Sequence, residues 1–121
     1  MSMPEGLVEL HGVPTMIMPA DGPRLGGERD VTDLIGQAMF DGANLVVIPT
    51  ERLADEFFSL RTGVAGAIVQ KFVNYRLRLA IVGDISAHVA GSTALRDFVV
   101  EANRGRQLWF TPTFADLEKR L

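Results

Sequence analysis

The sequence predicts a single α/β domain over residues 1–121, in which an N-terminal strand pair joins a small mixed sheet and helices alternate with the later strands. The length of 121 residues fits one domain, and 47% hydrophobic with 22% charged residues is the usual balance of a folded protein. Short unbroken apolar runs, which suit strands covered on both faces, alternate with segments whose apolar residues recur at helical spacing. The predicted order is β-β-α-β-α-β-α-β-α, a pattern that gives parallel strand pairs and right-handed crossovers after the first pair.

The N-terminal half begins with two short β-rich runs, residues 7–10 and 15–18, which flank a glycine and a proline and predict a hairpin or a bent strand pair. Residues 19–27 are rich in proline and glycine and predict a loop. Asp30 is the expected N-cap of the first helix, because apolar residues follow it at helical spacing. The continuous apolar run at 45–48 then predicts a central strand.

The C-terminal half continues the alternation of helices and strands. A helix is predicted over 62–75, with small residues that keep its first turn slender, and a strand is predicted over 77–82. Ser92 is expected to cap a third helix, and residues 108–110 form the last predicted strand. Thr113 is expected to cap a final helix, with an acidic residue three positions later in a capping-box-like arrangement.

Composition and charge argue against several classes of protein. The chain carries 15 acidic and 12 basic side chains, a net charge of −3, which argues against a dedicated nucleic-acid binder. It has no cysteine, and its only histidines are His11 and His88, so we expect no disulfide, no metal ion and no cofactor. No apolar run approaches the ~20 residues that span a bilayer and no targeting segment is visible, so we expect no membrane contact and a cytoplasmic location. The sequence also lacks known catalytic signatures, which favours a non-enzymatic protein.

The predicted order of elements resembles the STAS domain, the family of anti-sigma-factor antagonists and transporter regulatory tails. STAS antagonists carry an Asp-Ser-Ser-Gly motif at the start of the helix after the third strand, and its second serine is the phosphorylated regulatory residue. The corresponding stretch here reads Leu60-Arg61-Thr62-Gly63, which keeps the glycine and puts Thr62 at the phosphorylatable position. Leu60 and Arg61 replace the aspartate and the first serine. The resemblance implies a STAS-like interaction or regulatory module.

A second resemblance is more specific and covers roughly the C-terminal two-thirds of the chain. The stretches 57–66, 70–76 and 80–84, followed by 95–98, Glu101 and 103–105, are similar to the bacterial family known as domain of unknown function 4180. This resemblance implies the fold and the region of functional interest, and it brings no activity with it.

The start of the predicted helix over 62–75 is a candidate anion-binding or phosphorylation site. Ser59, Arg61, Thr62 and Gly63 lie where a helix presents unpaired amides and the positive end of its dipole, and small residues there let an anion approach. Arg61 would add a charge-assisted hydrogen bond. The alternative is that Thr62 is simply an N-cap and the glycines serve packing.

A crevice at the carboxyl ends of the strands is a second candidate site. Glu51 follows the third predicted strand, and Asp84, Ser86 and His88 follow the fourth. Ligands of open α/β sheets settle outside the carboxyl ends of the strands, and His88 near a carboxylate would serve as a base. The alternative is that Asp84 is a turn residue.

The end of the same helix is a candidate interface. Gln70, Lys71, Asn74 and Tyr75 place polar groups and an aromatic ring beside an apolar stripe, and tyrosine is a common anchor at interfaces. The alternative is a solvated helix end at which Lys71 complements the dipole.

The lead hypothesis is a non-enzymatic, STAS-like module that binds a protein partner through the helix over 62–75. The alternative is a small-molecule protein or enzyme that holds an anionic ligand in the crevice at the strand ends. A homodimer that buries a shared aromatic face is a third possibility.

Overall fold

The structure, a computed structural model, describes residues 3–121 and is built on one five-stranded sheet. The strands are β1 (Gly6–Leu10), β2 (Val13–Ile17), β3 (Leu45–Pro49), β4 (Arg78–Val82) and β5 (Leu108–Thr111). The helices are α1 (Glu28–Phe40), α2 (Asp55–Phe58), α3 (Val64–Asn74), α4 (Ser86–Ala90), α5 (Thr93–Arg104) and α6 (Phe114–Glu118), and 3₁₀ turns span Thr50–Arg52 and Leu60–Thr62. The predicted α/β class, with a mixed sheet and alternating helices, is confirmed.

The strands lie side by side in the order of the sequence, β1-β2-β3-β4-β5. β1 and β2 are antiparallel, and each later pair is parallel. The hairpin turn consists of His11 and Gly12, whose φ angles of 50° and 83° are the two positive values of a type I′ turn. The twist of this turn matches that of the strands, and it brings Leu10 opposite Val13.

Alternating side chains divide the sheet into two apolar faces. Val46 of β3 points into the layer covered by the crossover helices, where Phe72 of α3 is fully buried. Val47 points to the opposite face, which α6 covers through Leu117. Burial on both faces explains why β3 is an unbroken apolar run in the sequence.

The first helix begins earlier than the sequence predicts. α1 starts at Glu28, and Gly27 rather than Asp30 is its N-cap. The Asp30 carboxylate instead accepts a hydrogen bond of 2.7 Å from the Gly26 amide. An acidic side chain at the third helical position commonly reaches back in this way to an amide before the helix.

The helix predicted over 62–75 is shorter in the structure, where α3 spans Val64–Asn74. Gly63 has a φ of 78°, which is the left-handed conformation and is incompatible with the right-handed α-helix. This residue separates the 3₁₀ turn that contains Thr62 from the first turn of α3.

The two other predicted caps are confirmed, and two short helices, α2 and α4, are absent from the predicted order. Ser92 and Thr113 cap α5 and α6, each accepting a hydrogen bond of 3.1 Å from the amide three residues later. α2 has four residues and α4 has five, too few for either helix to show helical periodicity in the sequence. α4 packs against α5, and the two together connect β4 to β5.

A side chain of α5 closes the free edge of β5. Asn103 Nδ2 donates to the Phe110 carbonyl oxygen at 3.1 Å, and Asn103 Oδ1 accepts from the Phe110 amide at 2.8 Å. The Asn103 side-chain amide thus makes the two hydrogen bonds to Phe110 that a residue of a neighbouring strand would make. It therefore satisfies backbone groups that an open edge would leave for another chain.

Asn103→Ala is expected to lower the free energy of unfolding by about 1–2 kcal/mol, because the part-buried Phe110 amide and carbonyl lose their partners. Urea denaturation measures the change. Asn74→Ala is the matched control, since the Asn74 amide group is bonded at the surface to Gln70, and we expect a change below about 0.5 kcal/mol. Equal losses in the two variants would contradict the assignment of Asn103 to the edge.

Candidate functional site

A cleft of about 550 Å³ opens beside the start of α3. It lies between α3, α2, the first turn of α1 and the loop that precedes α1, and we refer to it as the α3 cleft. The aliphatic part of its lining consists of Leu25, Val31, Ala54, Val64, Ala67 and Ile68. Three charged side chains also line it, Glu28, Glu56 and Lys71. A mostly apolar cleft of this size with few polar groups is the usual form of a binding site.

The loop that walls the α3 cleft is held in place by Arg52. Arg52 Nε donates to the carbonyl oxygen of Pro23 at 2.7 Å, and Nη1 donates to those of Pro19 at 2.9 Å and Asp21 at 3.3 Å. The Arg52 carbonyl oxygen accepts from the Leu25 amide at 2.8 Å. One residue therefore orders most of the predicted loop, and the wall of the cleft is set before any ligand arrives.

The charged side chains give the α3 cleft a negative rim. Lys71 Nζ donates to Thr32 Oγ1 at 3.3 Å. Neither Glu28 nor Glu56 has a cationic group within 4.0 Å among residues 3–121. The cleft therefore combines an aliphatic floor with two carboxylates that form no ion pair within the described part of the chain.

A second cleft, of about 560 Å³, lies between residues 55–61, α4 and the start of α5, and we refer to it as the α5 cleft. Three of the predicted site residues meet in it, Ser59, Arg61 and His88. The His88 ring stacks on Phe58 with 4.2 Å between the ring centroids and 14° between the planes. From the sequence, these three residues were expected in two separate candidate sites. The fold unites them because α4 packs beside the segment that follows α2.

Thr62 and Gly63, the other candidates at the start of α3, line neither cleft. The Thr62 hydroxyl oxygen lies 2.8 Å from the carbonyl oxygen of Glu56 and 2.7 Å from that of Ser59, so its single proton is shared between them. The same oxygen accepts from the Val64 amide at 3.2 Å. One of the amides predicted to receive an anion is therefore occupied by the chain itself. Phosphorylation of Thr62 stays a prediction, and it requires the hydroxyl to leave these partners.

The carboxyl ends of the strands are closed between β3 and β4. Thr50 packs so tightly against Gly83 that a Cβ on the glycine would collide with the threonine side chain. Thr50 also donates to Glu51 Oε1 at 3.1 Å. The strand order contains no reversal, the feature that opens a crevice in other α/β sheets. Glu51, Asp84 and Ser86 line neither cleft, so the fold brings only His88 of the crevice candidates to a cavity.

Asp84 occupies a turn after β4. Its Oδ1 accepts a hydrogen bond of 2.9 Å from the Ser86 amide, the arrangement of an Asx turn. Hydrogen bonding by the Ser86 side chain, followed by that of the Ser86 amide, lowers the pKa of the Asp84 carboxyl. The carboxylate is therefore ionised at neutral pH and is not a proton donor for general acid catalysis.

The four interface candidates at the end of α3 lie on two sides of the helix. Lys71 lines the α3 cleft, and Tyr75, four residues later on the same side, is 50% exposed. Gln70 Nε2 donates to Asn74 Oδ1 at 2.9 Å on the outward side, so these two side chains satisfy each other. Only the side with Lys71 and Tyr75 adjoins a cleft.

Arg52 and Ala67 both shape the α3 cleft, but only the role of Ala67 could be anticipated from the sequence. The carbonyl oxygens that Arg52 binds lie 29 to 33 residues earlier in the chain, and no local pattern signals such a contact. Ala67 carried a signal, because the sequence analysis noted the small residues in the first turn of its helix. In the structure this small side chain leaves room for the α3 cleft.

Comparisons with known proteins bear on the family of the chain. The family model described as Domain of unknown function (DUF4180) matches residues 10–121. No curated protein and no solved structure matches the chain. In the part of the chain that the structure describes, no three His, Asp or Glu side chains come together to hold a metal ion. No helix of that part is both long and apolar enough to cross a bilayer.

Proposed function

Since the chain belongs to the DUF4180 family, whose function is unknown, we propose from its own geometry that it is a protein-binding module that docks a partner segment in the α3 cleft. The observation that carries the proposal is a pre-ordered, mostly aliphatic cleft along the start of α3. An interaction role is also what the resemblance to STAS domains implies. The proposal moves the docking surface toward the start of the helix on which the sequence analysis placed it.

The lining of the α3 cleft indicates the chemistry of the partner segment. The floor, formed in part by Val31, Val64 and Ile68, takes aliphatic side chains. No cation of residues 3–121 pairs with the carboxylates of Glu28 and Glu56, so both can pair with a cation on the partner. We therefore expect a segment that combines aliphatic residues with a flanking lysine or arginine.

Ala67→Phe is expected to weaken binding of such a segment by at least about tenfold, because the larger ring fills the cleft. Short peptides selected on the wild-type protein from a random phage library supply the ligand, and isothermal titration calorimetry measures the dissociation constant. Ala87→Phe is the matched control, since Ala87 is an equally exposed helical alanine that lines the α5 cleft instead.

Three outcomes of this experiment have a defined meaning. Loss of binding in Ala67→Phe alone supports the proposal, and equal dissociation constants in the two variants contradict it. Light scattering on the peptide-free protein tests the third possibility, a homodimer. A wild-type dimer that Ala67→Phe turns into a monomer identifies the occupant as a second copy of the chain.

The α5 cleft favours a second candidate function, the binding of a small anionic ligand. Arg61 supplies a guanidinium group, and Ser59 and His88 supply hydrogen-bonding groups to the same cleft, whose lining also includes Asp55. The Phe58 ring stacks on one face of the His88 ring. A thermal-shift series with inorganic phosphate and organic phosphates tests this function, because a ligand that binds only the folded protein raises its melting temperature. The shift must disappear in Arg61→Gln and persist in Ala67→Phe, and a shift unaffected by Arg61→Gln excludes the site.

A further inference from the structure

Half of the 12 lysine and arginine residues of this acidic protein gather at one end of the sheet. They lie around the start of β4, at the end of α5, just before β5 and after α6, and we call them the basic cluster: Arg76, Arg78, Arg104, Arg106, Lys119 and Arg120. Because β4 and β5 are parallel, the first four residues lie at the amino ends of these strands. The last two lie at the same end of the sheet because α6 runs back toward it.

Trp109 holds the centre of the basic cluster in a fixed geometry. The guanidinium carbons of Arg78 and Arg120 lie 4.5 Å and 4.7 Å from the centroid of its ring. Its indole Nε1 donates to the Gly105 carbonyl oxygen at 2.8 Å. Arg78 Nε donates to the Arg106 carbonyl oxygen at 2.9 Å, and Arg120 donates to a carbonyl oxygen of α5. Guanidinium groups held in this way lose little conformational freedom when they bind an anion.

Four arginines of the basic cluster have no charge partner among residues 3–121. Arg104 pairs with Glu101 at 3.2 Å and Lys119 with Asp116 at 3.9 Å. The other four are Arg76, Arg78, Arg106 and Arg120, and within the described residues no carboxylate lies within 4.0 Å of any of them.

The uncompensated charges also repel one another. Burial, followed by the charge of Arg106, lowers the pKa of the Arg78 guanidinium. Like charges held together destabilise the folded protein, and an anion bound between them relieves that repulsion.

We propose that the basic cluster around Trp109 is a docking surface for an acidic segment of a partner protein. Carboxylates match the planar fork of a guanidinium group and bind it through two parallel hydrogen bonds. The carboxylates of Glu101 and Asp116 flank the cluster and limit it to a short segment. A nucleic-acid binder presents a longer basic stripe, and the net charge of −3 opposes a long polyanion.

The test uses the full chain and a short fluorescent oligoglutamate peptide, with an oligoglutamine peptide of equal length and a single-stranded DNA oligonucleotide as comparisons. Fluorescence anisotropy at low salt is expected to show binding of oligoglutamate only. Arg106→Glu should weaken that binding by about tenfold or more, because an attraction becomes a repulsion. Arg29→Glu is the matched control for net charge, since Arg29 is an exposed arginine on α1, remote from the cluster.

Each outcome of this test decides the proposal. Binding of oligoglutamate that is lost in Arg106→Glu and kept in Arg29→Glu supports it. Tighter binding of the oligonucleotide, equal weakening by both variants, or no binding of oligoglutamate overturns it. Melting curves of both variants confirm that they fold, and Arg106→Gln provides a neutral variant if the reversed charge prevents folding. Ala67→Phe must bind oligoglutamate as the wild type does, so this proposal and the one for the α3 cleft fail separately.

Discussion

Phe72→Ala is expected to lower the free energy of unfolding by about 4 kcal/mol, the largest effect of any single change considered. The Phe72 side chain is 0% exposed and fills the layer between α3 and the sheet, so its removal leaves a cavity as well as losing buried apolar area. Urea denaturation followed by circular dichroism measures the change, and a chain of this length is expected to unfold in one step.

Phe40→Ala is the matched control for Phe72→Ala. Both changes remove the same atoms from a residue of a crossover helix, but Phe40 is 87% exposed at the end of α1. We expect its loss to change stability by less than about 0.5 kcal/mol. Similar losses for the two variants would mean that the layer between α3 and the sheet is not the core of the fold.

Arg52→Ala is expected to lower the free energy of unfolding by about 2–3 kcal/mol and to release the loop that walls the α3 cleft. The guanidinium group bonds three carbonyl oxygens of that loop, those of Pro19, Asp21 and Pro23, and hydrogen bonds from charged groups are stronger than neutral ones. Hydrogen exchange should show faster exchange of the loop amides between 20 and 27, while the strand amides keep their protection.

Arg24→Ala controls for the loss of an arginine in the same region. Arg24 lies 3.9 Å from Asp55, and both side chains are exposed, so this pair is worth less than about 1 kcal/mol. Arg52→Lys keeps the charge but has no fork of donors, so it should recover only part of the loop protection. Unchanged loop exchange in Arg52→Ala would show that the wall of the cleft is held by other contacts.

The two proposed docking surfaces lie at opposite ends of the sheet and have opposite chemistry. The α3 cleft adjoins the first turns of α1 and α3, which lie toward the carboxyl ends of the parallel strands. The basic cluster lies at the amino ends of β4 and β5. One surface presents carboxylates over an apolar floor and the other presents uncompensated arginines, so each is expected to take a different kind of segment.

Features that depend on neighbouring residues could be predicted from the sequence. Ser92 and Thr113 each cap a helix through an amide only three residues away, and both caps are confirmed. The apolar run of β3 predicted a strand covered on both faces, because that pattern is itself a consequence of burial. Short or conformationally unusual segments escaped prediction, as α4 and the left-handed Gly63 show.

The sequence by itself therefore determined the α/β class, the alternation of elements and the resemblance to a family, since hydrogen-bonding and burial patterns repeat every two to four residues along the chain. Only the tertiary structure decided where a ligand or partner has room to bind. Ser59 and His88 line one cleft, and Arg52 binds a loop about thirty residues earlier, because helices and strands far apart in sequence pack side by side. A cleft is the space left between such elements, so no local pattern of residues specifies it.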